Sequence, residues 1–193
     1  MMVKLIFLSG SIRNESYNKK LAKLACDIAG GIDGVGASFI DLKDYEMPLY
    51  NGDLEASSGL PDNAKKLKDI FAKCDGFFIA SPEYNSSLSP LLKNSLDWIS
   101  RPHEENEKPL LAYDGKVAAI SAASPGGFGG MRALVPLRMM LENISTIVIP
   151  KQLAIPFANQ EFDDNGALKN ERFGSALKAM VEQFADTAKR MKK

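Results

Sequence analysis

From Met1 the chain runs almost at once into an apolar stretch, Val3-Lys4-Leu5-Ile6-Phe7-Leu8, of the length and composition of a buried strand. A polar stretch follows. Apolar positions then recur at Leu21, Leu24, Ala25 and Ile28, the spacing of one helix face, and Gly30-Gly31 ends that helix. The alternation repeats down the chain. Residues 37–41 predict a second strand, and a long polar, glycine-containing segment over 42–59 leads to Pro61. That proline suits the first turn of a helix carrying Ala64, Leu67, Ile70 and Phe71. Gly76-Phe77-Phe78-Ile79-Ala80 predicts a third strand, and Ser89-Pro90 opens a helix through Leu92, Leu96 and Ile99. The charged residues over 101–108 read as a loop. Val117-Ala118-Ala119-Ile120 predicts a fourth strand, 126–130 a glycine-rich turn, and 131–141 a helix in which Pro136 implies a kink or a later start. Ile147-Val148-Ile149 predicts a fifth strand and Asp163-Asp164-Asn165-Gly166 a turn. Phe173, Leu177, Met180, Val181, Phe184 and Ala188 share one face of the last helix.

Short apolar strands alternating with helices imply a parallel sheet covered on both faces, a doubly wound α/β domain. In such sheets ligands bind beyond the carboxyl ends of the strands, where the strand order reverses. Chemistry is therefore expected in the loops after the first, third and fourth strands.

Composition narrows the partners. At 193 residues the chain has the length of one domain, and Lys+Arg 24 against Asp+Glu 24 leaves a formal net charge of +0. Without a basic excess, nucleic acid and anionic membrane are poor partners. No apolar run approaches the roughly 20 residues of a membrane span, and the opening run is too short for a signal peptide, so a cytoplasmic location is expected. Cys26 and Cys74 form no C-x-x-C and read as small buried residues. His103, the one histidine, reads as a solvated loop residue, and no metal site is expected.

The first loop is Ser9-Gly10-Ser11-Ile12-Arg13-Asn14-Glu15-Ser16-Tyr17-Asn18. Between a strand and a helix start, its hydroxyls, amide, guanidinium and free backbone N–H groups form an arrangement that holds a phosphate. The plainer reading is a helix cap by Ser16 with Arg13 in solvent. The loop lacks G-x-x-x-x-G-K-[ST] and G-x-G-x-x-G, and Gly31, Gly34 and Gly36 follow a helix, the wrong context for a dinucleotide turn. No cysteine stands there to attack a phosphate, so the loop suits binding without cleavage. In the second loop, 81–89, Tyr84 between Glu83 and Asn85 can wall a flat heterocycle and bond its edge, or merely pack a turn set by Pro82 and Asn85. The third loop, 121–130, carries glycines that admit a close ligand or simply turn the chain.

Gly10-Ser11-x-Arg13-x-x-Ser16-x-Asn18, Pro82-Glu83-Tyr84-Asn85 and Leu92-Lys93-Asn94-Ser95-Leu96-Asp97-Trp98 together resemble the NADPH-dependent FMN reductase family, which includes quinone, azo and chromate reductases. The resemblance implies a flavodoxin-like three-layer sandwich with a five-stranded parallel sheet, one FMN-binding reductase domain over residues 1–193. It implies that Ser11, Arg13, Ser16 and Asn18 hold the FMN phosphate, that Pro82, Glu83, Tyr84 and Asn85 line the isoalloxazine and ribityl chain, and that the backbone around Ser124 and Gly126 closes the far side. Two positions depart from the family: Ala123 falls where many relatives have a hydroxyl, and Pro136 interrupts a helix that often contributes to subunit contacts.

On that resemblance NADPH or NADH reduces bound FMN, which reduces a small acceptor: a quinone, an azo compound, a free flavin or a metal oxyanion. The cofactor carries the chemistry, so no catalytic side chain is expected. A homodimer or homotetramer is implied. Two alternatives stay open, a flavodoxin-type electron carrier, against which the neutral charge speaks, and a non-catalytic FMN-binding module.

Overall fold

A computed structural model of the protein describes residues 2–163 and 165–192; Met1 of the opening run and Asp164 of the expected turn lie outside them. The chain runs β1 (Val3–Ser9), α1 (Tyr17–Gly30), β2 (Val35–Ile40), a 3-10 turn (Leu42–Asp44), α2 (Gly52–Ser58), α3 (Asp62–Lys73) and β3 (Gly76–Ala80). It continues through α4 (Pro90–Ser100), β4 (Val117–Ala123), α5 (Met131–Asn143), β5 (Ile147–Val148), β6 (Leu153–Ile155), α6 (Ala158–Glu161) and α7 (Glu171–Met191). All strand pairings are parallel, in the order β2-β1-β3-β4-β5, with β6 also on β4.

Alternate residues of the strands feed two apolar layers. Leu5, Phe7, Phe78 and Ala119 face α1 and α7, meeting Leu21, Ala25, Val181 and Phe184. Ile6, Leu8, Phe77, Ile79 and Ile120 face α3, α4 and α5, meeting Phe71, Leu96, Leu134 and Leu137. The three central strands are buried along nearly their whole length, which is why their sequences read as unbroken apolar runs.

The fifth sheet position departs from the expected single strand. Ile149 N still donates to Ala118 O at 2.9 Å, but Pro150 then breaks the edge and Lys151 N turns to Gln183 Oε1. The chain rejoins β4 as β6, so two short strands share one edge. The polar segment after β2 also holds more structure than expected. Asn51 caps α2 by accepting from Asp53 N at 2.8 Å, and Leu54 is its one apolar anchor, packed near Trp98. Two turns with one anchor leave no periodicity to read. Helix α5 starts at Met131 and runs through Pro136, whose missing N–H deprives only the Arg132 carbonyl of its helical donor.

His103 is not solvated. Its side chain is 15% exposed, with Nδ1 2.8 Å from Glu107 Oε2. Glu107 is buried, paired with Lys68, which also donates to the Arg101 carbonyl. The pair fastens the 101–108 loop to α3. Burial pushes the Glu107 carboxyl up, but hydrogen bonds from Lys68 and the His103 N–H outweigh it and hold the group below its ordinary 4.5. The thiols are pushed up by burial, Cys26 to about 11 and Cys74 to about 12, which keeps both unreactive. Among the described residues no helix is long and apolar enough to cross a membrane.

A carboxyl held lower in the folded than in the unfolded chain stabilises the fold above about pH 4.5, and that contribution is lost as pH falls through the folded value. Urea midpoints should therefore fall below that pH, and less steeply in Glu107→Gln; parallel profiles would contradict this. Lys68→Met, which leaves the carboxylate buried and unpaired, should cost about 3 kcal/mol.

Candidate active site

A crevice opens because a ladder stops. Gly10 N donates to Ala80 O at 2.9 Å as the last rung between β1 and β3. The next rung would require an N–H from Pro82, which has none. Ser89 takes its place, donating from Oγ to Gly10 O at 2.5 Å while accepting from Leu92 N to cap α4. Gly10 is pinned closely: a Cβ there would lie 3.1 Å from Leu92 Cβ and 3.2 Å from Pro82 Cδ. On the other flank of β3, Ser81 N donates the last rung to Ser121 O, and the next peptide groups of β4 belong to Ala123. Those are taken by Asn18, whose Nδ2 donates to Ala123 O and whose Oδ1 accepts from Ala123 N, each at 2.8 Å.

The first loop is shaped by its own hydroxyls. Ser9 Oγ accepts from Ser11 N, Ser11 Oγ from Arg13 N, and Ser16 Oγ from Lys19 N as the cap of α1. Each of these hydroxyls keeps its own hydrogen to donate. The N–H groups of Tyr17 and Asn18, in the first turn of α1, donate to nothing among the described residues. The Arg13 guanidinium is exposed and has no ion-pair partner among them either. Lys19 is committed to Asp41 at 2.8 Å, and Lys20 reaches Glu15. Burial pushes Asp41 up, but hydrogen bonds from Lys19 and Lys43 N outweigh it and hold the carboxyl low.

In the second loop Tyr84 and Ser87 exchange backbone hydrogen bonds across a tight turn whose central residues, Asn85 and Ser86, have φ of 51° and 66°. Tyr84 is left half-exposed above the crevice. Glu83 points to α5, where Gly130 offers no side chain to cap the helix. Its Oε2 accepts from Arg132 N at 3.1 Å and its Oε1 from Arg132 Nε at 2.8 Å. The guanidinium also lies over the exposed Phe128 ring, 4.9 Å from its centroid. In the third loop Ser124 N donates to Ile155 O, and Ser124 Oγ accepts from Gly126 N.

A small cleft of about 100 Å³ results, walled by Ser11, Arg13, Ser16, Asn18, Pro82, Glu83, Tyr84 and Ser124. Tyr17, Ala123 and Pro125 complete it, while Asn85 and Gly126 are not among its walls. The sequence left Tyr17 and Pro125 unmarked, although each adjoins a motif residue; Ala123 was marked only as a departure from the family. Arg132 carried no signal, because it meets Glu83 only through the fold. An uncompensated cation, hydroxyl donors and free helix N–H groups converge at one end, with an aromatic wall beside them. That donor set fits a phosphate ester bearing a flat ring.

A parallel sheet of order 2-1-3-4-5, with its cleft between the loops after β1 and β3, defines the flavodoxin-like class. The family model described as NADPH-dependent FMN reductase matches residues 3–160, and the chain belongs to that family. Among its relatives are a quinone reductase of Pseudomonas putida, 32% identical over 93% of this chain and 91% of that protein, and an NAD(P)H-dependent FMN reductase of Pseudomonas aeruginosa, 33% identical over 98% and 97%. The solved structure of FerB, a flavoenzyme NAD(P)H:(acceptor) oxidoreductase from Paracoccus denitrificans, superposes with a TM-score of 0.82 at 28% identity, covering 98% of this chain and 99% of that one.

The third loop tolerates no added carbon at its end. Gly129 has φ of 61°, and a Cβ there would lie 2.6 Å from the Ile155 carbonyl carbon and the Pro156 nitrogen. Gly129→Ala should destabilise the protein by about 2 kcal/mol, read from urea midpoints; an unchanged midpoint would show that β6 yields freely.

Proposed function

We propose that the protein oxidises NADPH or NADH and passes the hydride, through FMN held in this crevice, to a small acceptor. The observation that carries the reading is the Arg13 guanidinium, unpaired among the described residues, beside free N–H groups of α1 and the hydroxyls of Ser11 and Ser16. When bound, FMN supplies the two-electron chemistry that the side chains lack.

The chain's own part is placement. Ser11, Arg13 and Ser16 bind the phosphate, with Asn18 beside them. Pro82 and Tyr84 wall the ring and ribityl chain, and Asn85 shapes the turn that presents Tyr84. Glu83 holds the start of α5 against the same wall through Arg132, and the backbone around Ser124 and Gly126 closes the far side. No side chain is assigned a proton transfer. A quinone heads the acceptor classes because quinone reductases are among the relatives; azo compounds, free flavins and metal oxyanions share its need for an open ring face.

One reductase domain spans residues 1–193 in this reading, working in the cytoplasm, where NAD(P)H is at hand. Met131, Val135 and Met139 lie along one face of α5 and are all exposed, which supports a homodimer or homotetramer formed there. Val135→Glu should lower the mass measured by light scattering; an identical mass in both proteins would remove α5 from any interface.

Purified protein mixed with NADPH, FMN and a quinone should consume NADPH in proportion to quinone. A carrier or a non-catalytic FMN-binding module would bind FMN without consuming NADPH. Arg13→Ala should weaken FMN by about 2 kcal/mol, followed by flavin fluorescence, and leave riboflavin nearly untouched. Equal loss for both flavins would contradict a phosphate role for Arg13.

A further inference from the structure

Asn18 is 3% exposed and stands in the first turn of α1, yet its carboxamide does not turn toward that turn's free N–H groups. It reaches a residue 105 positions away and pairs with it twice. The reason lies in the sheet. Val117 N donates to Asp75 O and Ser121 O accepts from Ser81 N, so the odd-numbered peptide groups of β4 point at β3. At Ala123 the strand that should answer them has already left through Pro82. A carboxamide carries one carbonyl and one N–H in the geometry of a peptide group, and Asn18 supplies the missing rung with both. Asparagine, unlike serine or aspartate at neutral pH, can give and receive in the same plane.

We infer that Asn18 is a positioning residue that fixes the separation between the phosphate loop and the third loop, and so sets the width of the crevice along its whole length. The inference rests on the flavin reading above. Its ties run from the start of α1, beside Ser16, to Ala123, which precedes Ser124 on the opposite wall. Ser124 in turn is tied to β6 through Ile155 O, so Asn18 joins the near wall to a far wall that is itself anchored on the sheet. One of the two Nδ2 hydrogens is used by Ala123 O, and the Oδ1 by Ala123 N. A residue that acts by holding the walls apart affects the ring end and the phosphate end alike. A residue that acts by touching phosphate affects only a ligand that has one.

Comparing FMN with riboflavin, which lacks the phosphate, separates these roles. Fluorescence titrations should be run on wild type, Asn18→Ala, Asn18→Asp and Arg13→Ala. Asn18→Ala is expected to weaken both flavins by roughly tenfold and to keep their ratio, while Arg13→Ala changes the ratio. Asn18→Asp matches the original size and keeps an acceptor for Ala123 N, so it serves where the alanine variant does not fold. It should weaken riboflavin by at least roughly threefold, and FMN further because its charge lies near the phosphate.

Loss of FMN affinity with riboflavin unchanged in the asparagine variants would make Asn18 a direct phosphate ligand and overturn the inference. Unchanged affinities for both flavins, with only a lowered melting temperature, would make it a purely structural residue and overturn it equally. Wild-type protein that binds neither flavin would instead bring down the flavin reading on which the inference rests.

Discussion

Proline has no amide hydrogen, and at position 82 that absence decides where this molecule can hold a ligand. Three buried parallel strands run side by side until the middle one reaches Pro82. There its ladder with β1 stops while β4 runs on to Ala123, and a gap opens at the carboxyl end of the sheet. Buried peptide groups cannot be left unanswered. Ser89 answers on the β1 side and Asn18 on the β4 side, so the gap is bounded by side chains locked into the sheet.

The electrostatics of the gap are local. The chain as a whole carries no net charge, so nothing in its overall field draws an anion. Each acid near the crevice has a cation of its own. Asp41 is held by Lys19, Glu15 by Lys20, and Glu83 by the guanidinium and backbone N–H of Arg132. These pairings leave Arg13 without an ion-pair partner among the described residues, beside a helix start that adds its partial positive charge. Lysines on the same helix add little, because the nearest of them is already spent on Asp41.

Much of this was legible along the chain. The strands β1, β3 and β4 are apolar on both faces and so stand out as short runs without alternation. The helices between them carry one apolar stripe each, and Ser16, Ser89 and Pro90 mark helix starts by chemistry that acts within three residues. The donor-rich loop after β1 was legible for the same reason: its hydroxyls, guanidinium and helix start are neighbours in sequence. The segment holding α2 was not, since seven residues with one apolar anchor show no period. Nor was the divided fifth position, where β6 is held by hydrogen bonds to β4 as much as by its own side chains. His103 looked solvated because its neighbours are charged, yet the buried Lys68–Glu107 pair draws it in from a helix more than thirty residues earlier.

By itself, then, the order of residues determined most of the element types, the parallel doubly wound sheet and the three loops that meet at the cleft. Those properties depend on burial and on hydrogen bonds between near neighbours. Tertiary structure alone decided what the loop residues do within the site. Asn18 and Ala123 stand 105 positions apart, and Glu83 and Arg132 stand 49 apart. Whether such groups meet depends on where a strand leaves the sheet and how a helix packs. No periodicity records that geometry.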